Sequence, residues 1–211
     1  MNALFLYGAN CTSEVWLPIK DLLTNIDITY VKYPHEILCA AGSVTDITRW
    51  VYSTYGNSKY NLLLGHSMGG MIALELAADF GMVCDKIILV ETNLRPAKEF
   101  YRNLLMPKHM ENFGNEVIEM LQSEAPFYLP ELKKSIQENF DYTGFVEKIN
   151  QQIFAIYGDR GLEGYKNRIN DLCLDKSTTD KLLFSFVKNS CHMPMLENST
   201  ELANIILAIV S

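Results

Sequence analysis

The sequence Gly65-His66-Ser67-Met68-Gly69-Gly70 constrains the fold of this chain more than any other stretch. It follows the apolar run 61–64 and precedes the helical pattern 71–78, so it predicts a sharp turn between a buried strand and a helix. The flanking glycines leave room where a β-carbon would clash, and the serine between them is expected in an unfavourable backbone conformation. A phosphate-binding loop is disfavoured, because the sequence has neither Gly-Lys-Ser/Thr nor Gly-x-Gly-x-x-Gly.

The composition and charge of the chain indicate which classes of protein it can belong to. The 211 residues, 48% hydrophobic and 20% charged, predict one compact domain over residues 1–211. The net charge of −7 and the lack of a basic cluster disfavour nucleic acid and anionic membranes as partners. The N-terminal run 3–7 is expected to be a core strand and not a signal peptide. Five cysteines, an odd number in mostly apolar surroundings, predict a cytoplasmic protein when taken with the missing signal peptide. None of their spacings fits a metal site, so no metal is predicted, and no other cofactor is expected.

Six apolar segments alternate with helical patterns along the chain. Strands are expected at residues 3–7, 28–33, 60–64, 86–90, 152–157 and 182–187. Helices are expected at residues 14–25, 43–55, 71–81, 165–172 and from 198 onward, with a loop at 34–43. Because the strands are apolar throughout, the pattern predicts a parallel sheet covered by helices on both faces.

The segment 92–150 has a different pattern. It shows helical periodicity interrupted by four prolines and contains no strong strand. We interpret it as a small helical cap, inserted after the fourth strand and belonging to the same domain. Its aromatic and methionine residues suit an acyl pocket and packing on the core equally well.

A serine hydroxyl needs a base to become a nucleophile, so the four histidines were compared as partners of Ser67. His192 follows the last strand, at the sheet edge where catalytic groups gather in α/β proteins. His66 adjoins the serine at a sharp turn, and we interpret it as a structural residue. His35 and His109 have no carboxylate that the sequence places beside them.

Four segments, at residues 6–10, 65–70, 153–158 and 191–197, carry a resemblance to a known family. With them the chain resembles an α/β-hydrolase-fold serine hydrolase of the small esterase/lipase-like type, over almost its whole length. The resemblance implies a reduced α/β-hydrolase fold with about six parallel strands, since two strands that often open the fold are absent. Tyr7 and Cys191 stand where the family motifs have histidine and glycine.

The resemblance also implies roles for individual residues. Ser67 would be the nucleophile and His192 the general base, with the backbone N–H groups of Ala9 and Met68 as the oxyanion hole. The acid would usually stand at residue 161, which is a glycine here.

Two carboxylates remain as candidates for the acid. Glu91 ends the fourth strand, where haloalkane dehalogenases place an acid followed by a similar Arg-Pro, and it is the first choice. Asp159, one residue after the glycine that ends the fifth strand, is the second. The alternative interpretations are an ion pair of Glu91 with Arg95 and a turn role for Asp159.

The resemblance thus implies a carboxylesterase that forms an acyl-serine intermediate on a small or apolar acyl ester. Thioesterase, lactonase and carbon–carbon hydrolase activities stay open, because one fold supports many reactions. The alternative is a ligand-binding or signalling protein on the same scaffold, which the missing carboxylate at Gly161 keeps open. The oligomeric state is not predicted.

Overall fold

A single parallel sheet forms the centre of the molecule, and the computed structural model describes all residues 1–211. Its strands are β1 (Asn2–Leu6), β2 (Asp27–Tyr30), β3 (Leu62–His66), β4 (Lys86–Val90), β5 (Gln152–Gly158) and β6 (Leu182–Val187). Their order is β2-β1-β3-β4-β5-β6, and every neighbouring pair is parallel. The predicted six-stranded parallel sheet is confirmed.

Ten α-helices surround this sheet. They are α1 (Leu17–Lys20), α2 (His35–Leu38), α3 (Val44–Tyr55), α4 (Met68–Ala78), α5 (Pro107–Glu124), α6 (Pro130–Gln137), α7 (Thr143–Lys148), α8 (Lys176–Thr179), α9 (Pro194–Glu197) and α10 (Ser199–Val210). Helices α3 and α7 pack on α4, whereas α9 and α10 pack with α1, so the helices form two groups that flank the sheet. None of the helices combines the length and apolar character needed to cross a membrane.

Three helix predictions were wrong. Residues 14–25 form a 3-10 turn followed by the four-residue α1, because Pro18 fits only the first turn of a helix. The expected loop at 34–43 contains α2. Residues 165–172 form turns that end in a 3-10 helix at Asn170–Leu172, consistent with the turn preference of its asparagines.

Local capping signals gave accurate boundaries elsewhere. Ser43 and Asp46 form the capping box that begins α3, and the side chain of Asn198 accepts the Glu201 N–H at the start of α10. The predicted bounds of β4 and β6 agree with the structure residue for residue.

The segment 92–150 contains α5, α6 and α7, two 3-10 turns and no strand. Prolines occupy the first turns of α5 and α6, where a missing N–H costs nothing. That this segment covers the site as a cap stays a prediction.

Strand register brings the candidate residues to one edge of the sheet. His66 at the end of β3 pairs with Val90 at the end of β4, and Val90 pairs with Ile156 in β5. The residues that follow these strands therefore leave the sheet side by side, at its carboxyl edge.

Candidate active site

The turn around Ser67 is as strained as the sequence predicts. Ser67 has φ 52° and ψ −120°, and its N–H donates to the Val90 carbonyl at 2.9 Å. A β-carbon on residue 65 would collide with the backbone of Gly69, and one on residue 69 with the carbonyl of Leu6. Glycine is therefore required at both positions, and the strain lifts the serine out of the sheet at the start of α4.

Two unpaired N–H groups lie around this serine. Gly8 lies so close that an added β-carbon would be 2.9 Å from the Ser67 β-carbon, so the loop after β1 packs directly against the turn. The Ala9 N–H makes no hydrogen bond, and the Met68 N–H is at the first position of α4, where no helical acceptor exists. Both donors are therefore unpaired, which an oxyanion hole requires, and their role as one stays a prediction.

Glu91 lies at the end of β4 with φ 49°, and its side chain is 1% exposed. Its Oε1 accepts the Gly158 N–H at 2.5 Å and Arg160 Nη1 at 2.6 Å. Its Oε2 accepts Arg160 Nη2 at 2.6 Å and lies 3.5 Å from His192 Nδ1. Of the two candidate acids, Glu91 is the one that faces His192.

Arg160 determines the charge state of this carboxylate. Burial raises the pKa of Glu91, but the adjacent Arg160 guanidinium and the His192 ring outweigh burial, so the pKa is lowered below its ordinary value. Glu91 is therefore an anion at neutral pH, and the ion pair with Arg95 considered above does not form. Arg95 instead pairs with Asp141 and Asp175 on the surface.

Asp159 has a different environment. It is buried, and its Oδ1 accepts the N–H groups of Gly161 and Asn189 at 2.7 and 2.6 Å. It thereby ties the end of β5 to the loop before His192, and makes no contact with the imidazole. Gly161, at the usual acid position, has φ 71°, a conformation that an aspartate would adopt only with strain.

His192 lies beside the serine turn without a hydrogen bond to Ser67. Its ring centroid is 4.9 Å from that of His66, and its side chain is 26% exposed. The Ser67 hydroxyl makes no hydrogen bond in this structure. Catalytic hydrogen bonds are often long or absent before substrate binds, so this arrangement is compatible with a serine–histidine pair.

His66 holds the backbone of the loop that carries His192. Its Nε2–H donates to the His192 carbonyl at 2.8 Å, and its Nδ1 is buried without a partner. Burial, followed by repulsion from His192, lowers the pKa of His66 to about 3. A neutral, buried ring is what the structural interpretation of His66 requires.

The buried His66 makes stability depend on pH. Between pH 6.5 and 3 the unfolded chain binds a proton at His66 that the folded chain does not, so stability falls as the pH is lowered. We expect this residue to remove about 2 kcal/mol between pH 7 and pH 5. Urea unfolding of wild type and His66→Gln at both pH values measures this loss of stability. An identical loss in both proteins would contradict the assignment.

Glu197 anchors the same loop from the other side. Its buried carboxylate accepts the Cys191 N–H and the Met106 N–H, each at 2.6 Å, and lies 3.0 Å from His109 Nδ1. The loop before His192 is thus joined to the beginning of α5. Two histidines for which the sequence offered no carboxylate partner have one that is distant in sequence, since His109 pairs with Glu197 and His35 with Glu124.

The two cysteines near the site are not activated. Burial raises the pKa of both the Cys11 and the Cys191 thiol to about 12. Neither is a thiolate at neutral pH. No group of three or more histidine, cysteine, aspartate or glutamate side chains is arranged to hold a metal ion, and the absence of a cofactor stays a prediction.

Comparisons with known proteins agree with this architecture. A family model described as the alpha/beta hydrolase fold matches residues 32–123. MenH from S. aureus superposes with a TM-score of 0.74 at 14% identity, covering 100% of this chain and 93% of that one. A thermophilic esterase from Thermogutta terrifontis gives 0.72 at 13% identity, with coverage of 100% and 89%. The chain has the α/β-hydrolase fold.

The same α/β-hydrolase fold occurs in proteins with several activities. The enol-lactonase from Burkholderia xenovorans LB400 superposes with a TM-score of 0.70 at 13% identity, covering 99% of this chain and 90% of that one. No curated protein matches the chain. At these identities the comparisons establish the fold, so the reaction must be argued from the site itself.

Three residues that support the site were not predicted from the sequence. The first is Arg160, although a buried Glu91 requires a counter-charge at the same sheet edge. Thr92 Oγ1 donates to the Ser67 carbonyl at 3.1 Å and fills the space that Gly70 leaves. Nothing in the sequence revealed the contact of Glu197 with the first turn of α5.

Proposed function

We propose that this protein is a serine hydrolase, with carboxylesterase as the reaction the site supports best. The observation that carries the proposal is the arrangement at the carboxyl edge of the sheet. There the strained Ser67, two free backbone N–H groups and a histidine facing a buried carboxylate lie together. These are the groups that acyl transfer to a serine requires.

The mechanism follows from the role of each group. Ser67 attacks the acyl carbonyl while His192 accepts its proton, and Glu91 stabilises the imidazolium through Nδ1–H. The N–H groups of Ala9 and Met68 stabilise the oxyanion, and losing one such donor raises the barrier by about 2.7–4 kcal/mol. His192 then protonates the departing alkoxide oxygen as the ester C–O bond breaks, which releases the alcohol, and it activates water for deacylation. Each step uses only groups of this chain.

A groove with a volume of about 420 Å³ is a candidate site for the acyl group of the substrate. Half of its ten lining residues are hydrophobic, among them Val15, Val117 and Leu196. The lining comes from residues 12–18, from α5 and from α9, which follows His192 in sequence. Its charged lining residues are Glu14 and Glu116, with no lysine or arginine, which disfavours an anionic acyl chain. Ser67 and His192 lie outside its lining.

The ligand-binding alternative has less support. It depended on the absence of a carboxylate at Gly161, and the contact of Glu91 with His192 supplies an acid from the neighbouring strand. The names of similar structures include esterase, enol-lactonase and thioesterase, so the choice of a carboxylester rests on the groove without cationic side chains and on the simplest use of the site.

Fluorophosphonate labelling, read by intact mass, tests the proposal. We expect wild type to bind one label per chain, and both Ser67→Ala and His192→Ala to bind none, because the reagent requires an activated serine. Ser13→Ala, a serine outside the site, is the control and should label as wild type does. p-Nitrophenyl esters of increasing chain length then define the acyl preference. A folded wild type that takes no label would refute the serine-hydrolase proposal.

A further inference from the structure

Every nitrogen of the Arg160 guanidinium is engaged in the interior. Nη1 and Nη2 each donate to one oxygen of Glu91 at 2.6 Å, Nη1 also donates to the Gly158 carbonyl at 2.7 Å, and Nε donates to the Phe100 carbonyl at 3.1 Å. The guanidinium carbon lies 4.6 Å from the centroid of the Tyr101 ring. Such a two-pronged pair fixes the plane of the carboxylate as well as its distance.

The backbone conformation at Arg160 directs its side chain into the interior. The residue has φ 55°, an uncommon conformation for a non-glycine residue, and its N–H donates to the Ser190 carbonyl at 2.9 Å. The side chain is 3% exposed. A residue held in strain and fully buried points to a function for the contact that it makes.

We propose that Arg160 is a positioning residue that holds the Glu91 carboxylate toward His192 and offsets the charge of that carboxylate. This inference rests on the proposed function. Oε1 accepts two donors, the Gly158 N–H and Nη1, whereas Oε2 accepts only Nη2, so Oε2 is the oxygen with room to face the imidazole. The carboxylate thus presents one fixed oxygen to His192 Nδ1.

The charge argument concerns which group holds a proton at rest. A buried carboxylate without a counter-charge would attract a proton onto the adjacent imidazole, and a protonated His192 cannot accept the proton of Ser67. Because Glu91 is paired with the guanidinium, the two side chains together carry no net charge. The Oε2 atom of Glu91 is still the carboxylate oxygen nearest to His192 when the imidazolium forms. The other titratable groups around this centre include His66 from β3, the Cys191 thiol and the phenols of Tyr101 and Tyr157.

A purely structural counter-ion would leave the histidine unaffected, so the decisive measurement is the titration of His192. It is followed by NMR of ¹⁵N-labelled histidine in a Ser67→Ala background, which needs no turnover. Arg160→Met removes the charge but keeps the aliphatic part of the side chain. Arg160→Lys keeps the charge but cannot form the two-pronged pair with the Glu91 carboxylate. The double variant Glu91→Gln/Arg160→Met replaces the ion pair by a neutral pair. Arg95→Met removes a surface arginine as the control.

We expect the midpoint of the His192 titration to rise by about one pH unit or more in Arg160→Met, and by less in Arg160→Lys. In the double variant it should return to the wild-type midpoint or below, and Arg95→Met should match wild type. In the Ser67 enzyme, the acid limb of the kcat/KM profile should move in the same direction in Arg160→Met, with kcat lowered and KM little changed.

An unchanged His192 midpoint in Arg160→Met would overturn the proposal, and so would a midpoint that rises equally in Arg95→Met. If Arg160→Met does not fold, Arg160→Lys decides, and a midpoint in Arg160→Lys equal to that of wild type would refute the proposal. A wild type without hydrolase activity would defeat the proposed function alone, because the ring titration is read without substrate.

Discussion

The Glu91→Gln variant is expected to lose about 10⁴-fold in kcat, the loss typical of replacing a triad carboxylate by its amide. The amide either turns an N–H toward the Nδ1–H of His192 or forces the ring into the other tautomer, and in both cases His192 no longer accepts a proton from Ser67. The loss is measured with the best p-nitrophenyl ester substrate of the wild type.

Asp159→Asn is the matched control, since it makes the same change in the other candidate acid. An asparagine oxygen can still accept the two backbone N–H groups that Asp159 binds, so kcat should change little. Loss of activity in Asp159→Asn together with normal activity in Glu91→Gln would reverse the assignment of the acid.

The stability of Glu91→Gln has to be measured alongside its activity. The substitution leaves the Arg160 charge buried without an anion, and breaking a buried pair costs about 3–5 kcal/mol. Unfolding curves show whether the variant is folded under assay conditions. A folded but inactive Glu91→Gln separates the loss of the acid from the loss of the fold.

The fold could be predicted well because its signals are local. Apolar runs of five or six residues between helical patterns defined β4 and β6 to the residue, and the Ser43 and Asn198 caps defined two helix starts. The helix predictions that were wrong also have local causes. Short helices such as α1 and α2 have too few turns to show periodicity, and the asparagines of 165–172 favour turns over a helix.

The site could be predicted only in part, because it depends on contacts across the sheet. Ser67 and its glycines are contiguous in sequence, and the strain of the turn can be inferred from them. The choice between Glu91 and Asp159 cannot, since the two residues leave adjacent strands at the same edge and differ in the direction of their side chains. Arg160 was missed for the same reason, because its partner lies 69 residues away.

The strained turn joins the site to the fold, and Gly69→Ala tests this link. An added β-carbon would meet the Leu6 carbonyl and lie 2.8 Å from the Tyr7 carbonyl. Neither carbonyl can move without shifting β1 or the loop at residues 7–10, which carries Ala9 and is called the oxyanion loop here. We expect the free energy of unfolding to fall by about 3 kcal/mol. Because Ala9 follows the displaced loop, the fluorophosphonate labelling rate should fall as well.

Gly144→Ala is the control for Gly69→Ala, because it makes the same change near the start of another helix. A β-carbon on residue 144 meets nothing within 4 Å, so alanine should raise stability by up to about 1 kcal/mol through its better helix propensity. Urea unfolding of both variants measures the expected loss of stability in Gly69→Ala and the expected gain in Gly144→Ala. A Gly69→Ala protein as stable and as reactive as wild type would mean that β1 can yield at this contact, and that the close packing of the turn on the oxyanion loop is not what holds Ser67 in place.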